Sequence, residues 1–344
     1  MLHRLLATVL FAFMFIGCSE TVEPQTLRIL TWPGYADPDI VAGFEQQYKV
    51  RVEVTYVNTD DELWARASAD GGRQFDLAAV NTAELQRFVK AGLNQPVRVE
   101  NIPNSQHQLQ RFQHRESIPG LVHEGNVYAI PYTYSTMGLI YDRKRVNPPP
   151  TTMAALWDSH YRGEVLAYDG SSHNFTIAAM TLGFDDPFNL TDDQFRAATQ
   201  RLVALRQNAL TFYDAPDEAA ELFRRNPIAL VFGNYGTQQV KQLQDQGADI
   251  GYVLPEEGVL AWMDCWTIMQ GATDRTLAEA WINYTLETSV SNVLSKRQGL
   301  PNTVTESDDL KEDDKIVWLQ PVEDAARRAQ LWQRIRSGER WENF

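Results

Sequence analysis

The sequence predicts an α/β protein built as two lobes. Short apolar runs at residues 27–31, 50–57 and 75–80 are predicted strands, and segments of helical periodicity separate and follow them. The resulting β-α-β-α-β order requires parallel strands joined by right-handed crossovers. The roughly 325 residues that follow the N-terminal segment exceed the usual size of a single core, so two lobes are expected.

The N-terminal segment is typical of an export signal. Arg4 is followed by an apolar run that is too short to span a membrane and ends in Gly17-Cys18. This pattern resembles a bacterial lipoprotein signal, which predicts removal of residues 1–17, lipidation of Cys18 and a polar tether over residues 18–26. An ordinary signal peptide cut nearby, with Cys18 incidental, is the alternative. No later apolar run is long enough to predict another membrane span.

Composition excludes some partners. The formal net charge of -14 argues against a nucleic-acid partner and is compatible with a cationic ligand. With Cys18 set aside, Cys265 is the remaining cysteine, so no disulfide within the mature chain and no cysteine-rich metal site is expected. The apolar strand around Cys265 predicts a buried, inert thiol.

The turn after the first predicted strand carries two aromatic side chains. Trp32 and Tyr35 lie between the apolar run 27–31 and the helix that follows it. In an open α/β sheet, ligands bind outside the carboxyl ends of the strands. If the strand order is 2-1-3, Asn81 at the end of the third strand faces Trp32 across the same crevice. The alternative is that both aromatics only cover the end of the core.

Capping signals and one long strand organise the rest of the chain. Asp37-Pro38 predicts the start of the first helix, and residues 59–62 and 191–194 have the pattern of capping boxes. Residues 127–141 are rich in strand-forming residues over a length that suits a crossing between lobes. Further strands are predicted at residues 163–168, 228–232, 250–254 and 259–269, and helices alternate with them.

Motifs of common enzymes are absent from the sequence. There is no phosphate-binding glycine loop, no dinucleotide fingerprint, no zinc-protease motif and no nucleophile elbow. The histidines have no spacing that indicates a metal site. We therefore expect no catalytic residue, no metal and no cofactor.

The order of these elements resembles the extracytoplasmic solute-binding proteins of ABC importers, most closely their spermidine/putrescine-binding branch. The resemblance extends over residues 27–336 and is carried by the sequences at 31–35, 75–77, 81–82, 130–132, 157, 161–163 and 262–264. It implies a type II periplasmic-binding-protein fold, in which each lobe is a mixed sheet flanked by helices and ligand lies in the cleft. The implied lobes are residues 27–132 with 263–302, and residues 133–262 with 303–344.

The resemblance also implies a ligand site. Trp32, Tyr35 and Trp262 would supply aromatic walls, and Asp264 would anchor an ammonium group. Aromatic faces attract cations and cover methylenes, and a desolvated ammonium needs a carboxylate partner. The other implied ligand-binding residues are Asn81, Thr82, His173 and Asn234. A core tryptophan beside a capped or solvated aspartate is the structural alternative for Trp262 and Asp264.

Some positions depart from the family pattern. Gly34 stands where an acid is usual, and His173 lies in a loop that is usually rich in acids. Gly233 and Leu300 replace aromatic residues. We therefore expect a pocket that has lost acids at one end and kept Asp264 at the other, so that a mono-amine or an ω-amino acid fits at least as well as a long polyamine.

The expected function is capture of a small cationic or zwitterionic amine by cleft closure and delivery to the membrane subunits of an ABC importer. The protein would be a periplasmic, membrane-anchored lipoprotein and a monomer. The alternatives are a sensory lipoprotein that signals to a membrane partner and, with least support, an enzyme on the same fold.

Overall fold

The computed structural model describes residues 24–307 and 314–344, so the signal segment and Cys18 lie outside the described residues. The strands are β1 (Thr26–Thr31), β2 (Arg51–Tyr56), β3 (Leu77–Asn81), β4 (Asn94–Gln95), β5 (Val122–His123), β6 (Asn126–Val127), β7 (Ala129–Asp142), β8 (Val165–Tyr168), β9 (Thr211–Tyr213), β10 (Leu230–Gly233), β11 (Ile250–Val253), β12 (Val259–Met269) and β13 (Ile316–Trp318). The α-helices are α1 (Pro38–Tyr48), α2 (Asp60–Ser68), α3 (Thr82–Ala91), α4 (Gln110–Gln113), α5 (Ser171–Thr181), α6 (Asp192–Asn208), α7 (Pro216–Arg225), α8 (Thr237–Asp245), α9 (Arg275–Thr285), α10 (Thr288–Gln298) and α11 (Ala325–Arg336).

The first three long strands pair as predicted. β1 lies between β2 and β3 and is parallel to both, which confirms the order 2-1-3. Their carboxyl ends therefore meet at one edge of the sheet, where the turn with Trp32 and the residues after β2 and β3 come together. This edge forms one side of the candidate site.

The starts of the helices agree with the capping signals in part. Thr191 and Gln194 form the complete capping box that was predicted. Thr59 accepts from the amide of Glu62, but the Glu62 carboxylate bonds the amide of Asn58 rather than that of Thr59. Asp37 holds the N-cap position of α1 without a capping bond, because its carboxylate pairs with Arg297 at 2.9 Å.

Two long strands connect the two halves of the sheet. β7 pairs with β12 through residues 129–137 and then with β10 and β11 through residues 138–142. β12 in turn pairs with β3 at its carboxyl half and with β13 at its amino half. The continuous path is therefore β2-β1-β3-β12-β7-β10-β8-β9, in a mixed sheet.

Hydrophobic cores lie on both faces of each half of this sheet. Two of the buried clusters contain β1, β3 and the carboxyl half of β12, and two contain β8, β10 and the helices around them. We propose from these clusters that residues 27–132 and 263–302 form one lobe, and residues 133–262 and 303–344 the other. Cys265 is a free, fully buried thiol within the first, as its apolar strand predicted.

A buried arginine fixes the C-terminal helix against the second half of the sheet. Arg328 is 0% exposed and pairs with Glu323 at 2.7 Å. Its guanidinium also donates to the Ser172 carbonyl and the Thr176 hydroxyl, both in α5. Because a buried charge needs several partners, this network holds the first turn of α5, which carries His173, in place. Within the described residues, no helix is long and apolar enough to cross a bilayer.

Candidate functional site

A cavity of about 520 Å³ lies where strands from both halves of the sheet end. Predicted site residues that line it are Trp32, Tyr35, Asn81, His173, Asn234, Trp262 and Asp264. Residues that the sequence analysis did not select also line it, among them Asp60, Tyr168, Asp214, Asp217, Tyr235 and Leu319. The cavity thus brings together most of the predicted site and adds acids and aromatics to it.

Asp264 is a buried carboxyl group in the wall of the cavity. It lies on β12, is 6% exposed, and accepts a hydrogen bond from the Tyr35 hydroxyl at 2.6 Å. Burial raises the pKa of Asp264 to about 7; the Tyr35 hydrogen bond opposes this shift and the nearby Asp60 carboxylate adds to it. Among the ion pairs of the described residues, none involves Asp264. A carboxyl group in this setting favours a cation that arrives from outside.

Asn81 connects Asp264 to a second carboxyl group. It lies directly opposite Asp264 in the antiparallel pair of β3 and β12. Its side-chain oxygen accepts from the amides of Ala83 and Glu84 at 3.0 Å, so its side-chain nitrogen is free to donate to Asp60 at 2.9 Å. Asn81 therefore lines the cavity and also caps α3.

Asp60 is the carboxyl group that the sequence analysis missed. It is half-buried in the first turn of α2, and burial together with the neighbouring Asp61 raises its pKa to about 6. Residues 59–62 predicted a helix start, and that local explanation did not point to the cavity that Asp60 lines. The signal that could have found it is positional, because these residues follow the carboxyl end of β2, at the same edge as Trp32 and Asn81.

The aromatic walls come from both sides of the cavity. Trp32 is half-buried, and its indole N–H is buried without a hydrogen-bond partner among the described residues. The Trp262 indole donates to the Asn234 carbonyl at 3.2 Å. Tyr35 packs edge-on against Tyr132 with ring centroids 5.5 Å apart, which fixes the hydroxyl that reaches Asp264.

The opposite wall carries an uncharged polar pair. His173 Nδ1 lies 2.8 Å from Asn234 Oδ1. Burial lowers the pKa of His173 to about 4, so the imidazole is neutral near neutral pH and donates from Nδ1 to the amide oxygen. Tyr168 stacks on the imidazole with centroids 5.5 Å apart, and Tyr235 packs edge-on against Tyr168. This wall therefore presents aromatic rings and uncharged polar groups to the cavity rather than a buried charge.

Thr82 does not line the cavity. It is fully buried, and its hydroxyl donates to the Leu319 carbonyl at 2.6 Å. Its side chain is therefore committed to holding the segment after β13 against the start of α3. The structure therefore does not bring Thr82 together with the other predicted site residues, because a tertiary contact that the sequence does not reveal takes its hydroxyl.

The expectation that the pocket has lost acids at one end and kept Asp264 at the other stays a prediction. Asp60 lies near Asp264, and Asp214 and Asp217 stand exposed at the rim beside the start of α7. Two of the noted departures do have a physical reason. Gly34 has φ of 91°, and a Cβ there would lie 2.6 Å from Gln298 Nε2, so an acid does not fit in this backbone. Asp169, in the loop before His173, is engaged by Trp332 at 2.8 Å and Arg336 at 2.7 Å.

The fold and this cavity define a two-lobed α/β binding protein for a small molecule. No cluster of candidate metal ligands occurs within residues 24–307 and 314–344. Residues 39–321 match the family model described as bacterial extracellular solute-binding protein, and the chain belongs to that family. The family consists of binding proteins outside the cytoplasm and not of enzymes. This confirms the predictions that the protein is exported and that it is not an enzyme.

Curated relatives fall in one branch of this family. The chain is 24% identical over 288 residues to the spermidine/putrescine-binding periplasmic protein of Escherichia coli, covering 83% of this chain and 80% of the relative. It is 25% identical over 287 residues to the putrescine-binding periplasmic protein PotF of E. coli, covering 78% and 75%. It is 22% identical over 303 residues to the putrescine/agmatine-binding protein of Pseudomonas aeruginosa, covering 83% and 80%.

Solved structures show the same fold. The TpPotD lipoprotein of Treponema pallidum superposes with a TM-score of 0.77 at 19% identity, covering 91% of this chain and 100% of that one. The spermidine/putrescine ABC transporter substrate-binding protein PotD of Streptococcus pneumoniae gives 0.73 at 19% identity, covering 92% and 100%. MotA of A. tumefaciens, solved with glucopine, gives 0.69 at 15% identity, covering 91% and 100%. These neighbours confirm the type II periplasmic-binding-protein fold.

Proposed function

We propose that this protein captures a polyamine or related small amine outside the cytoplasm and delivers it to an ABC importer. The observation that carries the proposal is the Asp264 carboxyl group, which is buried beside aromatic side chains and forms no ion pair with residues 24–307 or 314–344. The cost of burying a carboxylate is offset when an ammonium group binds it. The relatives named above, which bind spermidine, putrescine or agmatine, support the same ligand class.

Aromatic faces complete the match to an amine. The methylenes of an alkyl amine are apolar and need cover, while its ammonium end gains from the face of an aromatic ring. Trp32, Trp262, Tyr168 and Tyr235 line the cavity in which Asp264 lies. A sugar or a carboxylate ligand would gain less here, because neither can neutralise Asp264.

A binding screen tests this proposal. The domain without its signal segment is heated with amines, amino acids and betaines, each alone, and the unfolding midpoint is recorded. A ligand present at about one hundred times its dissociation constant should add about 2.7 kcal/mol of stability. We expect polyamines and diamines to raise the midpoint most. A response to amino acids or betaines with none to any alkyl amine would contradict the proposal.

We further propose that Cys18 carries a lipid that holds the protein at the membrane. The proposal rests on the apolar run that ends at Gly17-Cys18. Replacing the thiol removes the atom that would be acylated, so Cys18→Ser should move the protein from the membrane fraction to a soluble form or leave the signal uncleaved. Cys265→Ser is the control, because that thiol is buried in the domain. Unchanged membrane partitioning of Cys18→Ser would contradict the proposal.

A further inference from the structure

Three polar side chains that line the cavity are linked through Asn81, and we call Asp264, Asn81 and Asp60 the row. Asp264 and Asn81 are paired residues of neighbouring antiparallel strands, so their side chains lie on the same face of the sheet. Asn81 donates a side-chain N–H to Asp60 at 2.9 Å. One amide is therefore paired with one carboxyl group through the sheet and hydrogen-bonded to the other.

Asn81 holds this spacing rigidly. Its oxygen accepts from two amides at the start of α3, so the orientation of its amide group is set by the helix. The nitrogen then has to point toward Asp60. At the other end, Tyr35 fixes Asp264 by the hydrogen bond of 2.6 Å. Neither carboxyl group can turn away without breaking a bond to a fixed partner.

No lysine or arginine of the described residues forms an ion pair with the Asp60 carboxyl group. Among the described residues its side-chain hydrogen bond is the one from Asn81, and no ion pair includes it. The cation that acts on Asp60 electrostatically, Arg87, pairs with Glu84 at 3.5 Å and stacks 3.5 Å over the Trp64 ring. The other charged groups that act on Asp60 or are acted on by it, namely Asp61, Glu84 and Asp264, are acids.

We propose that Asp60 is a second ammonium anchor and that the row from Asp264 to Asp60 selects an unbranched diammonium ligand over a monoamine or a zwitterion. This inference rests on the proposed function, since it assigns a charge pattern to the amine in the same cavity. One ammonium group binds Asp264 and the next binds Asp60, while the intervening methylenes pass over Asn81. A carboxylate at the far end of an ω-amino acid would face Asp60 and be repelled.

Three ligands of one chain length test the inference. Putrescine, butylamine and γ-aminobutyrate share a four-carbon chain and end, at the far side, in an ammonium, a methyl and a carboxylate group. Titration calorimetry of the wild-type protein should give the affinity order putrescine, butylamine, γ-aminobutyrate. Asp60→Asn should weaken putrescine by about tenfold or more, the usual worth of a charge-assisted hydrogen bond. It should leave butylamine within about twofold, and bring γ-aminobutyrate closer to the other two.

Asp61→Asn is the matched control. Asp61 is the neighbouring acid in the same helical turn, is exposed, and does not line the cavity. It removes the same formal charge, so any effect of net charge on a cationic ligand appears in both variants, whereas loss of an anchor appears only in Asp60→Asn. Unfolding midpoints without ligand establish that both variants are folded.

The outcomes separate the inference from the proposed function. If wild-type protein binds putrescine but Asp60→Asn weakens putrescine no more than Asp61→Asn does, the inference is overturned and the proposed function stands. If wild-type protein binds γ-aminobutyrate at least as tightly as putrescine, the inference is likewise overturned. If no alkyl amine binds at all, the proposed function fails and the inference fails with it.

Discussion

The two walls of the cavity differ in the way they carry polarity. The wall built from the carboxyl ends of β1 and β3, the middle of β12 and the start of α2 holds two carboxyl groups, Asp264 and Asp60, that form no ion pair with any residue the structure describes. The wall built from the ends of β8 and β10 holds a neutral histidine–asparagine pair. Its acids, Asp214 and Asp217, are exposed at the rim. We therefore expect the first wall to select the ligand by its positive charge, while the second supplies shape and uncharged hydrogen bonds.

The energetics of the two walls differ accordingly. Burial makes the ionised form of a carboxyl group unfavourable, and a bound ammonium group offsets that desolvation free energy. A neutral imidazole paired with an amide stores no such cost, because both groups are already satisfied. Binding energy for a cation should therefore depend strongly on the first wall and weakly on the charge state of the second.

The largest effect is expected from Asp264→Asn. The substitution keeps the shape of the side chain and removes the negative charge that an ammonium requires, so affinity for the best amine found in the screen should fall by about ten- to hundredfold. Titration calorimetry near neutral pH measures this. The corresponding change on the second wall, His173→Gln, removes no charge and should cost less. An equal loss from both variants would contradict the difference between the walls.

A stability measurement controls for misfolding of Asp264→Asn. The folded protein raises the pKa of Asp264 to about 7, so ionising this group destabilises the fold. This destabilisation is absent at low pH, where the group is protonated in both states, and reaches its full size above about pH 7. The stability of the ligand-free wild-type protein should therefore decline relative to the variant as pH rises from about 4 to about 8, by on the order of 4 kcal/mol. Denaturant unfolding of both proteins at the two pH values tests the sign.

Trp32→Ala should have a smaller effect. It removes one aromatic face from the first wall, and such a face is worth about 1–2 kcal/mol to a desolvated cation, or about five- to thirtyfold in affinity. Trp64→Ala is the control, since Trp64 packs against Phe88 and under Arg87 outside the cavity. It should lower stability without lowering amine affinity. If Trp64→Ala lost affinity and Trp32→Ala did not, the proposal that Trp32 contacts the amine would be contradicted.

The smallest effect is expected in the radius of gyration, which should decrease if the two walls move toward each other on binding. An amine that contacts both gains its extra contacts only when they close, so ligand must shift the open–closed equilibrium. Solution scattering should then show a lower radius of gyration with saturating ligand than without it. Identical scattering from both samples would favour a rigid pocket on the first wall alone.

Local patterns explain why much of the fold was predictable. The parallel direction of β1, β2 and β3 follows from alternating strands and helices, and the crossing strand follows from its length and composition, whereas the order 2-1-3 was only assumed. Trp32, Asn81 and Asn234 were found because they follow strands, and ligands bind at strand ends. Tyr168 and Tyr235 satisfy the same rule and could have been selected by it.

The remaining site residues depended on tertiary contacts. Asp60 belongs to a segment whose sequence already has a sufficient local explanation as a helix start, and only the pairing of β3 with β12 brings it into line with Asp264. Thr82 follows a strand, as several cavity-lining residues do, but its hydroxyl bonds the carbonyl of Leu319, which lies more than two hundred residues later in the chain. Neither fact is visible in a stretch of neighbouring residues.

The most direct test of the account is proton release on binding. In the ligand-free protein the pKa of Asp264 is about 7 and that of Asp60 about 6, so both are partly protonated at about pH 6. An ammonium ion binds the ionised forms, so binding at about pH 6 must expel protons, and affinity must rise as pH rises toward about 8. Putrescine titrated into the protein in buffers of different ionisation enthalpy measures the number released. The account predicts release at about pH 6 that vanishes above about pH 8 and is reduced in Asp264→Asn. Binding with no proton release at either pH would contradict it.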